Sequence, residues 1–150
     1  MFEYAPAPES KAIVNFQQSY GHFINGSFTK PGKTYQTINP ATEEVLAEIT
    51  HGTEKDVDLA VKAARNAYEK TWSKISGAER GKYLFRIARI MQERARELAV
   101  AETLNNGKPI KETRDFDVPT AVSWFFYYAG WADKLEYAGL GANQIGRAHV

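Results

Sequence analysis

The sequence contains no cysteine. A disulfide framework, a thiolate metal site and a cysteine nucleophile are therefore all excluded within these 150 residues. A charge excess of one sign is also lacking, because 19 Lys and Arg residues balance 18 Asp and Glu residues to a formal net charge of +1. Such a balance gives no indication of a nucleic-acid or polyanion partner.

Long apolar runs are absent as well. A membrane-spanning helix needs about 18 consecutive apolar residues, and the chain has no such stretch. Met1–Pro8 has neither the basic start nor the apolar segment of a signal peptide. We therefore expect a cytoplasmic protein without a membrane anchor. Hydrophobic residues make up 43% of the chain and charged residues 25%, which is the composition of an ordinary globular domain.

The N-terminal third has the pattern of short strands joined by turns. We expect residues 1–19 to form a flexible arm, because most of this segment is polar and has no periodicity. Asn25-Gly26 lies between apolar residues, as in a two-residue β-hairpin turn. Extended runs follow at Tyr35–Ile38 and Val45–Ile49. Asn39–Thr42 predicts a corner between them, because its proline cannot continue a strand.

The remainder of the chain has helical periodicity, which predicts helices over about 54–72, 77–105 and 117–136. Thr53 is placed to cap the first helix, and Ser76 with Glu79 matches a capping box for the second. The third helix is apolar on almost every side, which indicates that further structure must cover it. In this chain alone we expect four of its aromatic residues to be unusually exposed: Trp124, Phe125, Tyr128 and Trp131.

Two phosphate-binding motifs are nearly matched. Ser27–Thr34 has serine where a P-loop has its first glycine, and an extended run follows it where the motif needs a helix. Gly139–Gln144 begins like a dinucleotide-binding fingerprint, but it lacks the third glycine and a preceding strand. We assign a nucleotide site to neither segment.

The histidines and the aromatic cluster also have plain interpretations. His22 and His51 have no partner at metal-ligand spacing, so we expect them in turns or at the surface. The aromatic residues around Trp124 could form a ligand cage or a base-stacking platform. No basic stripe accompanies them, so packing is the better interpretation.

Several short motifs occur in an order that resembles the amino-terminal region of NAD(P)-dependent aldehyde dehydrogenases. Each is weak alone, and their shared order over about residues 20–135 makes the resemblance specific. The motifs are Phe23-Ile24-Asn25-Gly26, Asn39-Pro40-Ala41-Thr42, Asp56-Val57-Asp58 to Ala67, Glu79-Arg80, Glu102-Thr103-Leu104-Asn105-Asn106-Gly107-Lys108-Pro109 and Tyr127-Tyr128-Ala129-Gly130-Trp131-Ala132-Asp133-Lys134.

The resemblance implies an incomplete α/β fold. Over 20–136, a β-hairpin, short strands and three helices would form the outer layer of a cofactor-binding domain. Residues 137–144 would begin the crossover to an oligomerisation strand, so a homo-oligomer is implied for the full-length protein. We expect Ile145–Val150 to be an artefact, because ATC GGA AGA GCA CAC GTC encodes it and matches the start of a widely used sequencing adapter.

The chemistry that the resemblance implies is oxidation of aldehydes to carboxylic acids. In that family a cysteine thiolate attacks the aldehyde, an oxyanion hole holds the alkoxide, and hydride passes to NAD or NADP. Water activated by a glutamate then releases the acid. This chain has no cysteine, and the family's nucleotide-binding segments would follow Gln144. We therefore assign no catalytic and no cofactor-binding residue within it, and we expect the chain alone to bind no cofactor.

Two positions depart from the family pattern. Glu43 stands where glycine usually follows Asn-Pro-Ala-Thr, so the turn must avoid a left-handed backbone or tolerate strain. Asn105 stands where many members have Asp. In some of them that carboxylate and carbonyls at the positions matching Thr37 and Ile38 hold a structural monovalent cation. The lost charge argues against a cation here, and we assign no metal.

Thr120 and Trp124 resemble the stretch that borders the aldehyde tunnel in some members, with helix packing as the alternative. Three other classes of function stay open. They are a free-standing helical protein-binding module without enzymatic activity, a nucleotide-binding protein that uses Lys33 of the near P-loop, and a natural regulatory fragment that joins full-length subunits. We expect no nucleic-acid and no membrane partner.

Overall fold

A computed structural model describes residues 10–135, in which strands occupy the first third and helices follow. The strands are β1 (Ser19–Tyr20), β2 (Phe23–Ile24), β3 (Ser27–Phe28), β4 (Thr34–Ile38) and β5 (Val45–Thr50). The helices are α1 (Glu54–Lys70), α2 (Gly77–Glu93), α3 (Ala95–Asn106), α4 (Ile110–Glu112) and α5 (Val118–Trp131). The predicted segments 137–144 and 145–150 lie outside the described residues, so those two predictions stay open.

The strands form a small mixed sheet and a separate hairpin. β5 lies in the middle of the sheet, antiparallel to β4 and parallel to β1. The hairpin pairs β2 with β3, and both turn residues have positive φ, 53° at Asn25 and 82° at Gly26. Two consecutive left-handed residues are what a type I′ turn requires, which confirms the hairpin predicted from Asn-Gly. Within the arm predicted over 1–19, Lys11–Ile13 forms a short 3₁₀ helix that contacts α3.

The corner between β4 and β5 is held by its own first residue. Asn39 is 3% exposed, and its Oδ1 accepts a hydrogen bond from the Ala41 amide at 3.0 Å. The Asn39 carbonyl accepts from the Glu43 amide at 2.8 Å, which closes the turn. Glu43 adopts φ 60°, so the turn takes the left-handed backbone that its missing glycine would have favoured.

The capping box lies at α1 and not at α2. The Thr53 hydroxyl accepts from the Asp56 amide at 3.3 Å, and the Asp56 carboxylate accepts from the Thr53 amide at 2.9 Å. Ser76 does cap α2, accepting from the Glu79 amide at 3.2 Å. The Glu79 carboxylate instead accepts from Lys82 at 3.1 Å, so the predicted box at α2 is only half formed.

The single helix predicted over 77–105 is wrong in one respect, because it is two helices that meet at Arg94. Arg94 leaves helical geometry with φ −103° and ψ 17°. It donates to the Glu97 carboxylate from two nitrogens, at 2.8 and 2.6 Å. No glycine or proline lies near the break. Ala88 and Ala99 lie about three helical turns apart, so the apolar stripe has the same phase on both sides and hides the break from periodicity.

The third predicted helix also has different bounds. It begins at Ile110 with α4, passes through a π-helical turn over Thr113–Asp117, and ends with α5 at Trp131 rather than at 136. Pro119 explains the wide turn, because its ring clashes with the carbonyl four residues earlier and it has no N–H to donate. The chain therefore stays helical through a proline that sequence reasoning treated as a start.

The core lies where α2, α3 and α5 meet. Four buried residues form its centre: Ala88, Ala99, Val118 and Val122. Met91, Leu98 and Phe126 pack around them and stay partly exposed. The centre of this core consists of small side chains. Phe125 and Phe126 of α5 pack against it, whereas the other four aromatic residues of α5 are exposed.

Candidate functional site

One side of α5 exposes a row of aromatic rings. We call Trp124, Tyr127, Tyr128 and Trp131 the aromatic face of α5. Trp124 stacks on Tyr128 with ring centroids 5.8 Å apart, and it meets Tyr127 edge-on at 5.7 Å. Trp124 is 53% exposed and Tyr128 is 56% exposed. An apolar row of this size on a helix is typical of a surface that other structure covers.

The opposite side of α5 packs closely on α2. A Cβ added to Gly81 would lie 3.0 Å from the Ala129 carbonyl oxygen, and one added to Gly77 would lie 2.3 Å from that of Ala132. Glycine at these positions lets the two backbones approach, because any side chain would separate them. Val122 and Ala129 are buried on this side. This contact fixes the rotation of α5 and leaves the aromatic face outward.

Thr120 and Trp124 lie one helical turn apart on the same side of α5. Thr120 is half-buried, and its carbonyl accepts from the Ser123 hydroxyl at 2.7 Å. The expected exposure of Trp124, Tyr128 and Trp131 is confirmed. The expectation is wrong for Phe125, which packs against the core because it lies on the buried side of the helix.

The structure brings Thr37 and Asn105 together although 68 positions separate them. The Thr37 hydroxyl on β4 donates to Asn105 Oδ1 at the end of α3, at 2.9 Å. The amide oxygen is thus engaged by a neutral hydroxyl. A groove of about 440 Å³ runs beside the pair and is also lined by Glu102. Among residues 10–135, no cluster of three or more His, Cys, Asp or Glu residues is arranged to hold a metal.

Two of the sequence motifs meet at the loop after α3. Gly107 has φ 79°, and a Cβ there would lie 2.7 Å from Cγ of Pro40 in the β4–β5 corner. Lys108 pairs with Asp117 of the π-helical turn, and that hydrogen bond raises the pKa of Lys108. A cavity of about 260 Å³ with mostly apolar lining, including Val100 and Leu104, lies between the corner and the loop.

His22 and His51 contact the groups that join the hairpin, the sheet and α1. His22 Nε2 lies 3.4 Å from the His51 carbonyl oxygen and 3.8 Å from Asp56 Oδ2. The ring of His51 contacts that of Tyr35, with centroids 4.8 Å apart. His22 therefore links the base of the hairpin to the start of α1, which agrees with the turn and surface roles expected.

The nucleotide-binding alternative is wrong for the near P-loop. Ser27 lies in β3 and Thr34 opens β4, so the segment joins two strands and no helix follows it. Without a helix N-terminus there is no row of amides to hold a phosphate. The other near-match, Gly139–Gln144, lies outside the described residues.

The comparisons with known proteins agree with this architecture. A family model described as the aldehyde dehydrogenase family matches residues 28–148. The chain therefore belongs to the aldehyde dehydrogenase family.

Individual relatives extend over most of the chain. An aldehyde dehydrogenase of Alternaria alternata is 46% identical over 123 residues, covering 81% of this chain and 25% of that protein. The mitochondrial aldehyde dehydrogenase family 2 member B4 of Arabidopsis thaliana is 39% identical over 147 residues, covering 94% of this chain and 27% of that protein. The chain thus spans about a quarter of the length of the relatives it matches.

A solved structure gives the same result. The NAD⁺ complex of an aldehyde dehydrogenase from Bacillus cereus is 44% identical and has a TM-score of 0.72. The match covers 75% of this chain and 24% of that one. The fold described here is therefore an incomplete part of an aldehyde dehydrogenase fold. This family match does not support a free-standing binding module.

Sequence reasoning did not identify the full extent of the aromatic face. It named Trp124, Tyr128 and Trp131 together with Phe125, whereas the structure places Tyr127 on this surface and Phe125 on the buried side of the helix. The four residues of the aromatic face follow Thr120 by four, seven, eight and eleven positions, which is the spacing of residues on one side of a helix. This spacing was obscured because α5 carries apolar residues all around.

Proposed function

We propose that the whole protein to which this chain belongs oxidises aldehydes to carboxylic acids with NAD or NADP. The observation that carries this proposal is the family match over residues 28–148. The structure of α5 supports it, since a helix held on one side by α2 and bare on the other is suited to pack inside a larger fold. This chain supplies scaffold to that enzyme.

No residue of this chain is assigned to the chemical steps. Within residues 10–135, β5 is joined to α1 by His51-Gly52-Thr53, which has one glycine where a dinucleotide fingerprint has a glycine-rich turn. The cysteine nucleophile that the family uses is absent from the 150 residues. The NAD⁺ complex of the Bacillus cereus relative supports NAD as the cofactor of the whole protein.

We also propose that Thr120 and Trp124 border the aldehyde approach in the whole protein. The support is their position on one side of α5, with Trp124 exposed and Thr120 half-buried one turn earlier. A bulky indole at such a border selects aldehydes by size, because an apolar wall discriminates through contact area. The Thr37–Asn105 pair carries no cation in this proposal, because no negative charge is present in the pair.

The remaining features of the proposal concern assembly and location. A homo-oligomer is proposed from the family resemblance, and the cytoplasm is proposed as the location of the whole protein. None of the helices within residues 10–135 has the length and hydropathy of a membrane-spanning segment. Light scattering of the purified protein and a fluorescent fusion imaged in cells test the two points. Fluorescence of the fusion in mitochondria would contradict the proposed location. The name of the Arabidopsis relative describes that protein as mitochondrial.

The activity is tested on the protein expressed from the complete reading frame that contains this sequence. Aldehydes of increasing chain length are supplied with NAD or NADP, and reduced nicotinamide is followed by absorbance. We expect turnover with the complete protein and none with the 150-residue chain. A complete protein that is folded but inert towards every aldehyde would contradict the proposed activity.

The tunnel border has its own variant and matched control. Trp124→Ala should change KM by up to ~10-fold for long aldehydes relative to short ones, since an apolar contact is worth that much discrimination. Trp72→Ala removes another partly exposed indole, one that contacts Tyr83 away from α5. Equal effects of the two variants on chain-length preference would contradict the placement of Trp124.

A further inference from the structure

The chain contains two Asn-Gly pairs whose surroundings differ in the folded state. They are Asn25-Gly26 at the hairpin tip and Asn106-Gly107 at the end of α3. In such a pair the glycine backbone nitrogen attacks the carbon of the asparagine side-chain amide. Ammonia leaves, a succinimide forms, and water opens it to aspartate or isoaspartate. The sum is amide plus water giving carboxylate plus ammonium, with no change of oxidation state.

Asn25-Gly26 lies in open space. A Cβ added to Gly26 would meet no atom within 4 Å. No hydrogen bond within residues 10–135 holds the Asn25 side chain, which is exposed. Within the described residues, the tip is therefore restrained neither by packing at Gly26 nor by a hydrogen bond to the Asn25 side chain.

The turn conformation is the remaining barrier to attack by the glycine nitrogen, and this barrier is low. Its left-handed backbone must open before the glycine nitrogen reaches the amide carbon. The hairpin consists of two residue pairs, Phe23 with Phe28 and Ile24 with Ser27. Both phenylalanines are 63% exposed, so their edge contact buries little apolar area. Two-stranded hairpins of this kind open readily in water.

Asn106-Gly107 can undergo the same reaction, but contacts restrain both the Asn106 side chain and Gly107. The Asn106 Nδ2 donates to the Glu102 carboxylate one turn earlier, and Oδ1 accepts from the Lys108 amide at 2.8 Å. Gly107 packs against Pro40. Reaction here requires both side-chain hydrogen bonds to break and the end of α3 to move.

We propose that Asn25 is a deamidation site of this chain, at which water converts it to aspartate and isoaspartate, while Asn106 is protected by the fold. Deamidation of Asn25 changes the formal net charge of the chain from +1 to 0, because one neutral amide becomes one carboxylate. Isoaspartate also adds a methylene to the backbone, which a two-residue turn does not accommodate. The hairpin thus acquires both a charge and a lengthened tip with time.

The test is an ageing experiment on the purified 150-residue chain at mildly alkaline pH, with helical content followed by circular dichroism. Mass spectrometry of the peptides containing each asparagine gives the two rates, and isoaspartate is identified by chromatography. Asn25 should react at least ~10-fold faster than Asn106, which must first lose two hydrogen bonds. In concentrated guanidinium the two rates should converge, because the sequence alone then decides them.

A variant pair separates protection by the fold from an effect of neighbouring sequence. Glu102→Ala removes one of the two partners of Asn106 and should raise the Asn106 rate several-fold while leaving the Asn25 rate unchanged. Glu93→Ala, at an exposed helical glutamate of α2, should change neither rate. Equal rates at the two asparagines in native buffer, or a ratio that guanidinium does not alter, would overturn the proposal.

Discussion

At the scale of single residues, Glu43 shows what the missing corner glycine costs. It adopts φ 60°, in the region that only glycine enters without strain. For a residue with a Cβ this conformation costs about 1–2 kcal/mol. The corner is nevertheless maintained, because Asn39 is buried, its side chain accepts from the Ala41 amide and its carbonyl accepts from the Glu43 amide. The neighbouring bonds therefore impose the strained conformation on Glu43.

Glu43→Gly should raise the free energy of unfolding by up to ~1 kcal/mol, since strain is relieved and only part of the gain is lost to greater freedom of the unfolded chain. Urea unfolding followed by circular dichroism measures the change. Glu44→Gly is the matched control, because Glu44 has no positive φ and should lose stability on the same substitution. Destabilisation by both variants would show that Glu43 is not strained.

The buried hydroxyl pair at the π-helical turn gives a second prediction. Thr113 is fully buried, its hydroxyl lies 2.8 Å from that of Thr103, and it reaches the Ile110 carbonyl at 3.2 Å. Thr113→Val leaves the Thr103 hydroxyl without this partner and should cost about 1–2 kcal/mol. The double variant with Thr103→Val should cost less than the sum of the single variants. Additive effects in urea unfolding would contradict this coupling.

At the level of single elements, the stability of the N-terminus of α1 depends on pH. The Thr53 hydroxyl, and then its amide, lower the pKa of Asp56 below 3.8 by hydrogen bonding to the carboxylate. A lowered carboxyl pKa gives stability that is complete above the ordinary pKa and is lost as pH falls through the folded one. The capping box therefore weakens in acid and not near neutrality.

Asp56→Asn should remove the acid-dependent part of α1 stability below about pH 3.8, because no carboxylate then titrates at the cap. Hydrogen exchange of the first amides of α1, measured against pH, is the readout. Asp58→Asn is the control, since Asp58 is exposed and lies outside the box. An unchanged acid profile in Asp56→Asn would exclude this carboxylate as the source.

For the molecule as a whole, the main feature is that many large apolar side chains are exposed to water. Besides the aromatic face of α5, helix α1 has no buried residue, and its Val57 and Val61 are 60% and 56% exposed. Both helices thus expose several large apolar side chains to water. A chain with such surfaces tends to associate.

The 150-residue chain should bind an apolar dye and associate with rising concentration. Replacing Trp124 and Tyr128 with Gln should reduce both effects, because it removes two stacked rings from the aromatic face. Lys62→Gln, on the polar side of α1, should leave both unchanged. Light scattering and dye fluorescence measure the change. A monomeric chain that binds no dye would contradict the description of these surfaces as uncovered.

The local features of this protein follow from short stretches of sequence, because each depends on neighbours in the chain. The Asn-Gly hairpin, the corner at Asn39, the left-handed end of α3 at Gly107 and the cap at Thr53 were all predictable in this way. The family membership was predictable too, because it rests on the order of short motifs.

Three other features depend on packing between segments that are distant in sequence. The break at Arg94 keeps the phase of the apolar stripe, so no periodicity could show it. The wide turn before Pro119 holds together through a buried contact between Thr113 and Thr103, ten positions apart. The orientation of the aromatic face depends on how closely α2 approaches α5 at Gly77 and Gly81. Each of these features depends on energies between segments distant in sequence, which a local pattern does not contain.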